Sequence, residues 1–139
     1  MNSGGKKALW KSNSHSLDTR LIITKTAIDA LSIHQLFPKT HTRYISTEGM
    51  PSNYQEELVT EAIAEFDRAD NEVIIAIGND EADNQLTDIL RSLAASDVPV
   101  KLHQPKNDRS WNECLRKQIE HNKLLMGQSK PTKQSQLEP

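Results

Sequence analysis

Residues 72–79 read EVIIAIGN, and this stretch decides the fold. Val73 through Ile77 are all apolar, with no polar residue between them. A strand with one wet face would alternate. An unbroken apolar run belongs to a strand covered on both faces, as in a parallel sheet. Gly78-Asn79 closes the run with turn residues.

The neighbours on either side are helices. Ser52 and Gln55 form a capping-box pair, and Leu58, Ala62 and Phe66, with Val59 and Ile63 beside them, make one apolar stripe. The opposite face carries Glu56, Glu57, Glu61 and Glu65. Downstream, a helix over about 81–95 turns Leu86, Ile89, Leu90 and Leu93 inward. Val98–His103 reads as a strand. Ser110 and Glu113 then open a helix with Trp111, Leu115 and Ile119 on its apolar face.

Upstream the pattern repeats. Arg20–Thr24 (RLIIT) and residues 42–47 (TRYIST) read as strands. Between them lies a helix over Ala27–Leu36, with Ile28, Leu31 and Leu36 as its apolar positions and Phe37-Pro38 as its stop. Leu9 and Trp10 begin a shorter apolar segment, and Ser12–Thr19 is a polar turn. The order β-α-β-α-β-α-β-α implies right-handed crossovers. The expected fold is α/β, Rossmann-like: a compact four-stranded parallel sheet flanked by helices on both faces. Residues 1–8 are expected to be a flexible lead-in, 9–125 the domain, and 126–139 a disordered polar tail.

The chain has 139 residues, one ordinary domain. A single cysteine, Cys114, rules out an internal disulfide and suits a reducing compartment. No apolar run fits a signal peptide or a bilayer span, so a cytoplasmic location and no membrane partner are expected. The net charge of −2 hides a segregation: +5 over residues 1–47, −11 over 48–97 and +4 over 98–139. That pattern fits either a solvated acidic helix between basic ends or a cationic patch beside an anionic face.

In a parallel sheet, ligands bind beyond the carboxyl ends of the strands. Those ends are Thr24-Lys25-Thr26, Ser46-Thr47-Glu48, Gly78-Asn79-Asp80-Glu81 and Gln104 through Ser110. Read in order, these segments resemble the toprim domain of topoisomerases and primases, and above all the toprim-like domains of plasmid mobilisation and primase proteins. The resemblance spans about residues 8–118. It rests on ALWKS at 8–12, LIITKTAIDALS at 21–32, IIAIGNDEAD at 74–83 and PKNDRSWNECL at 105–115. It implies a Mg2+ site in which a glutamate after the first strand and an Asp-x-Asp pair after the third hold the metal against a phosphate.

This chain departs from that pattern. The family glutamate falls on Lys25, the first aspartate of the pair on Gly78, and the aspartate of the closing motif on Ser110; the second aspartate of the pair survives as Asp80. Asp80, Glu81 and Asp83 are candidate weak metal ligands, and they are equally suited to the N-terminus of the helix that follows. Lys25 could replace the cation and pair with Asp80 or with a bound phosphate, or could be solvated. Asp29 fits either a structural role, bonding the backbone of a neighbouring loop, or that of an ordinary aspartate near a helix N-terminus. Trp111 and Asn112 are expected to lock the last helix onto the sheet.

Lys25, Lys106 and Arg109 are the candidate nucleic-acid contacts, with Lys6, Lys7, Lys11, Lys101, Arg116 and Lys117 as further cations. Aromatics are 4% of the chain, so little base stacking is expected and DNA or RNA binding should be weak. His15, His34, His41, His103 and His121 are scattered and lack metal-ligand spacing. The expected function is that of a degenerate toprim domain, a non-catalytic nucleic-acid-associated or docking module. The Met-Asn-Ser-Gly-Gly start suggests that it is cut from a larger replication or mobilisation protein. The alternatives are an active Mg2+-dependent nucleotidyl-transfer or strand-cleaving domain, and a protein-interaction module using the acidic helix at 52–69.

Overall fold

The computed structural model describes residues 7–95, 98–105 and 110–129. Its elements are β1 (Trp10–Lys11), β2 (Arg20–Thr24), α1 (Ala27–Leu36), β3 (Thr42–Ser46), α2 (Asn53–Glu65), β4 (Glu72–Ile75), α3 (Glu81–Ser92), β5 (Val100–Leu102) and α4 (Trp111–Ser129). The sheet has the order β1-β3-β2-β4-β5. β2 pairs in parallel with both β3 and β4, and β4 pairs in parallel with β5. These are the four expected strands.

The fifth strand corrects the expected count. β1 pairs antiparallel with β3, Trp10 opposite Ser46 and Lys11 opposite Ile45. Two residues are too short to show an alternation in sequence, and this edge is defined by its partner. The pairing continues past the strand, because the Ser12 hydroxyl accepts from the Tyr44 amide at 2.9 Å.

The apolar runs divide between two faces, as the two-residue period of a strand requires. Leu21, Ile23, Val73, Ile75 and Ile77 face one core with Val59, Ile63 and Phe66 of the α2 region and Leu86 and Leu90 of α3. Ile22, Ile74 and Ala76 face the other, with Ala30 and Ile33 of α1, Tyr44 and Trp111. The chain leaves β2 toward β3 with α1 on one face, and later moves from β4 to β5 with α3 on the other. The crossovers therefore diverge between β2 and β4, and the crevice of such a sheet opens at that switch point.

Three helices differ from expectation in what they bury or where they end. α1 does not bury Ile28 and Leu31, which are each 60% exposed; it buries Asp29, Ala30, Ser32 and Ile33. Its inner face meets the polar start of α4 as well as the sheet, so polar residues face inward. α4 runs to Ser129. Residues 130–139 lie outside the described residues. α2 ends at Glu65 and α3 at Ser92, both short of the expected 69 and 95.

Candidate functional site

The site is built on the ends of β2, β3 and β4. After β2 the chain turns at Lys25, whose carbonyl accepts from the Ser46 hydroxyl and the Gly49 amide, both at 3.0 Å. Thr26 caps α1, its hydroxyl accepting from the Asp29 amide at 3.1 Å. These bonds fix the backbone from which Lys25 reaches across the crevice.

Lys25 donates to Asp83 Oδ1 at 2.8 Å. The Asp83 side chain is 3% exposed, so its charge faces the ammonium and not water. The hydrogen bond to Asp83 raises the Lys25 pKa above its usual 10.5; burial opposes this, and the charges of Asp83, Asp80 and Asp29 add to it. The lysine is therefore paired with Asp83 and not with Asp80, while its side chain stays 37% exposed. Asp80 is the N-cap of α3, and its Oδ1 accepts from the Asp83 amide at 2.8 Å. Glu81, in the first turn of α3, is exposed. Gly78 is buried at the end of the β4 run, and Gln104 donates to its carbonyl at 3.2 Å. Among the described residues, no group of three or more His, Cys, Asp or Glu side chains is placed to hold a metal ion.

Glu48 was named in the sequence only as a strand end, yet it joins the site. Its carboxylate accepts from the Ala27 amide at 2.6 Å and from the Ser46 hydroxyl. That places an anion on the positive end of α1, beside Lys25. Glu48 has φ 55°, in the left-handed region that a non-glycine residue rarely enters. Its sequence signal is slight: an acidic residue directly before Gly49, with nothing to show that it reaches another element.

Asp29 is 5% exposed, and its Oδ1 accepts from the Asn112 amide at 3.2 Å. It thus caps α4 from α1. Ser110 accepts from the Glu113 amide at 3.1 Å, and Trp111 Nε1 donates to the Ala76 carbonyl at 3.2 Å. The start of α4 is tied to α1 and to the sheet at once.

The candidate cations are not gathered at one surface. Lys25 lies at the carboxyl ends of the strands, where Lys7 also reaches the Glu48 carbonyl at 3.3 Å. Lys101 pairs with Glu72 at 2.9 Å, at the opposite end of the sheet. Lys106 and Arg109 lie outside the described residues.

The Lys25–Asp83 pair carries a pH prediction. A lysine whose pKa is raised by folding contributes stability that is complete below its ordinary value and lost as pH rises through the folded value. Burial also raises the pKa of Tyr44, which acts in the same direction. The urea midpoint should therefore fall above about pH 10, and less steeply in Lys25→Met. An alkaline profile identical in the two proteins would contradict the pairing.

The comparisons agree with this architecture. The chain is similar to the primase fragment of the bacteriophage T7 primase-helicase protein, with 16% identity and a TM-score of 0.46, over 85% of this chain and 45% of that one. It is also similar to a chain in the structure of the bacteriophage T7 lagging-strand DNA polymerase interacting with primase domains of two gp4 subunits bound to an RNA/DNA hybrid and dTTP. There the identity is 18% and the TM-score 0.52, over 84% of this chain and 61% of that one. This chain thus spans less than two thirds of either. No curated protein matches it. The family described as Toprim-like matches residues 22–115, from β2 into α4. With the switch point and the closing Trp-Asn motif inside that match, the chain belongs to the Toprim-like family.

Proposed function

We propose that this domain is a toprim module that has given up metal-dependent catalysis and serves a larger primase- or mobilisation-type protein as a nucleic-acid-associated or docking element. One observation carries this reading: the Lys25 ammonium lies 2.8 Å from Asp83, in the crevice where the family resemblance expects a metal-binding carboxylate. Mg2+ demands several oxygen ligands in near-octahedral geometry. Here Asp80 is engaged in a helix cap, Asp83 faces a fixed positive charge, and Glu81 points to solvent. The donor set does not fit the ion.

Nucleic acid is the first partner to test, because the T7 primase domains are described with an RNA/DNA hybrid. The rival enzyme reading would use Asp80, Glu81 and Asp83 as ligands. A titration of the isotopically labelled chain separates these readings. Up to 10 mM Mg2+ should leave the amides of residues 78–83 unmoved, and a single-stranded DNA oligomer should shift residues around Lys25. Saturable Mg2+ shifts at residues 78–83 would overturn the non-catalytic reading. If neither probe moves the crevice, docking through the acidic face of α2 becomes the better account; there Glu56, Glu57 and Glu61 border an open groove with Leu93.

A further inference from the structure

Three of the five histidines that look scattered in sequence come together in space. His15, His34 and His41 all line one pocket of about 280 Å³. It runs along β3 on the face that α1 only partly covers, from Trp10, opposite Ser46, to His41 and Thr42 at the amino-terminal end of the strand. Tyr44 and Trp10 also line it, and Leu31, 60% exposed, lines it from α1. The apolar residue that α1 leaves uncovered is therefore part of a concave wall.

The lining combines three chemistries. The first is aromatic: Trp10 is half-buried, and His34 meets the Tyr44 ring edge-on at 5.9 Å. Stacking on such surfaces accepts any nucleobase. The second is an unmet polar group: the Tyr44 phenol oxygen is buried and has no hydrogen-bond partner among the described residues. Buried polar groups are seldom left so, and each one calls for an explanation. The third is cationic: Lys39 and His41 stand exposed on the connection from α1 to β3, and Lys39 forms no ion pair among the described residues. The segment of chain that supplies this wall, residues 1–47, carries the +5 charge.

We infer that this pocket binds one nucleotide unit, its base against Trp10 and Leu31 and its phosphate toward Lys39 and His41. Pockets for small ligands begin at about 300 Å³. At about 280 Å³ the pocket stands at the small end of that range, which suits a base with its sugar. The unit is either a free nucleotide or one residue of a single strand. This site is separate from the strand-end crevice, and the inference does not depend on how that crevice is read.

The full chain, labelled with 15N, is titrated with adenosine 5′-monophosphate, adenosine, inorganic phosphate and a four-residue oligo(dA). The monophosphate should shift amides within residues 10–18 and 30–44 and quench tryptophan emission. Lys39→Ala should weaken the monophosphate about fivefold and leave adenosine nearly unchanged. Leu31→Glu, at an exposed position that should fold normally, should weaken both. An oligomer that binds more tightly than the monophosphate identifies a single strand as the source, and the reverse order a free nucleotide; either result sustains the pocket. Saturating monophosphate and oligomer without shifts in these residues, or with shifts confined to 24–26 and 78–83, would overturn it. The pocket would then belong to a side chain of a protein partner.

Discussion

Replacing Trp111 with alanine should destabilise the domain by about 3–5 kcal/mol, the usual cost of removing a large aromatic side chain from a core. The residue is 2% exposed and sits where three elements meet. Its ring lies 4.7 Å from that of His103 and 5.9 Å, edge-on, from that of Phe37. Its indole nitrogen satisfies the Ala76 carbonyl in the second core. The variant therefore loses apolar burial, two ring contacts and a buried hydrogen bond. Domains have about 5–15 kcal/mol of stability in total, so the loss is a large share of it. Trp111→Phe keeps most of the volume and should cost about 1–2 kcal/mol, chiefly for the missing donor. Urea unfolding followed by circular dichroism distinguishes the two. A loss below 1 kcal/mol in Trp111→Ala would mean that α4 is not anchored through this residue, and that Asp29 and Ser110 hold it alone.

That anchoring shows which features can be read from a sequence. β4 was readable because burial on both faces leaves an unbroken apolar run, and α2 because its cap and its stripe agree. The apolar spacing of α1 does not mark its buried side. Asp29 and Ser32 are inside because α1 faces the polar start of α4, where Asp29 accepts from the Asn112 amide. No local pattern shows that an aspartate will be buried against a backbone 83 positions away. The same holds for the crevice. Lys25 could be singled out as a cation at a strand end, but its partner is 58 positions away. Asp80, one of the partners its position allowed, is engaged by its own helix, and the ammonium meets Asp83 one turn on. Glu48 was missed because its role depends on a left-handed turn that brings it back to α1.

Lys25→Glu combined with Gly78→Asp should create a Mg2+ site where the natural chain has an ion pair. The natural crevice balances one ammonium against Asp83, with Asp80 and Asp29 contributing charge nearby. Reversing the charge at position 25 leaves Asp83, almost wholly buried, beside another carboxylate, and Asp at position 78 adds a third anion close to Asp80. Without metal the double variant should be less stable than the natural chain, because like charges at close range disfavour ionisation and folding together. Mg2+ reverses this by supplying the positive charge that Lys25 provided. With a dissociation constant on the order of 0.1 mM, 10 mM Mg2+ should restore about 2.7 kcal/mol. For a chain of this length that is a rise in Tm of roughly 8–10 °C. The natural chain should show no such rise. Gly78 is buried, so Gly78→Ala measures the steric cost of a side chain there and separates it from the electrostatic effect. Asp80→Ala in the double-variant background should abolish the Mg2+ response while removing an α3 cap worth about 1 kcal/mol. Failure of the double variant to bind Mg2+ by calorimetry, with Gly78→Ala folded normally, would mean that positions 25, 78 and 80 do not converge on one ion. The crevice would then owe its charges to holding β2 and α3 together, and Lys25 would be a structural cation with no bearing on catalysis.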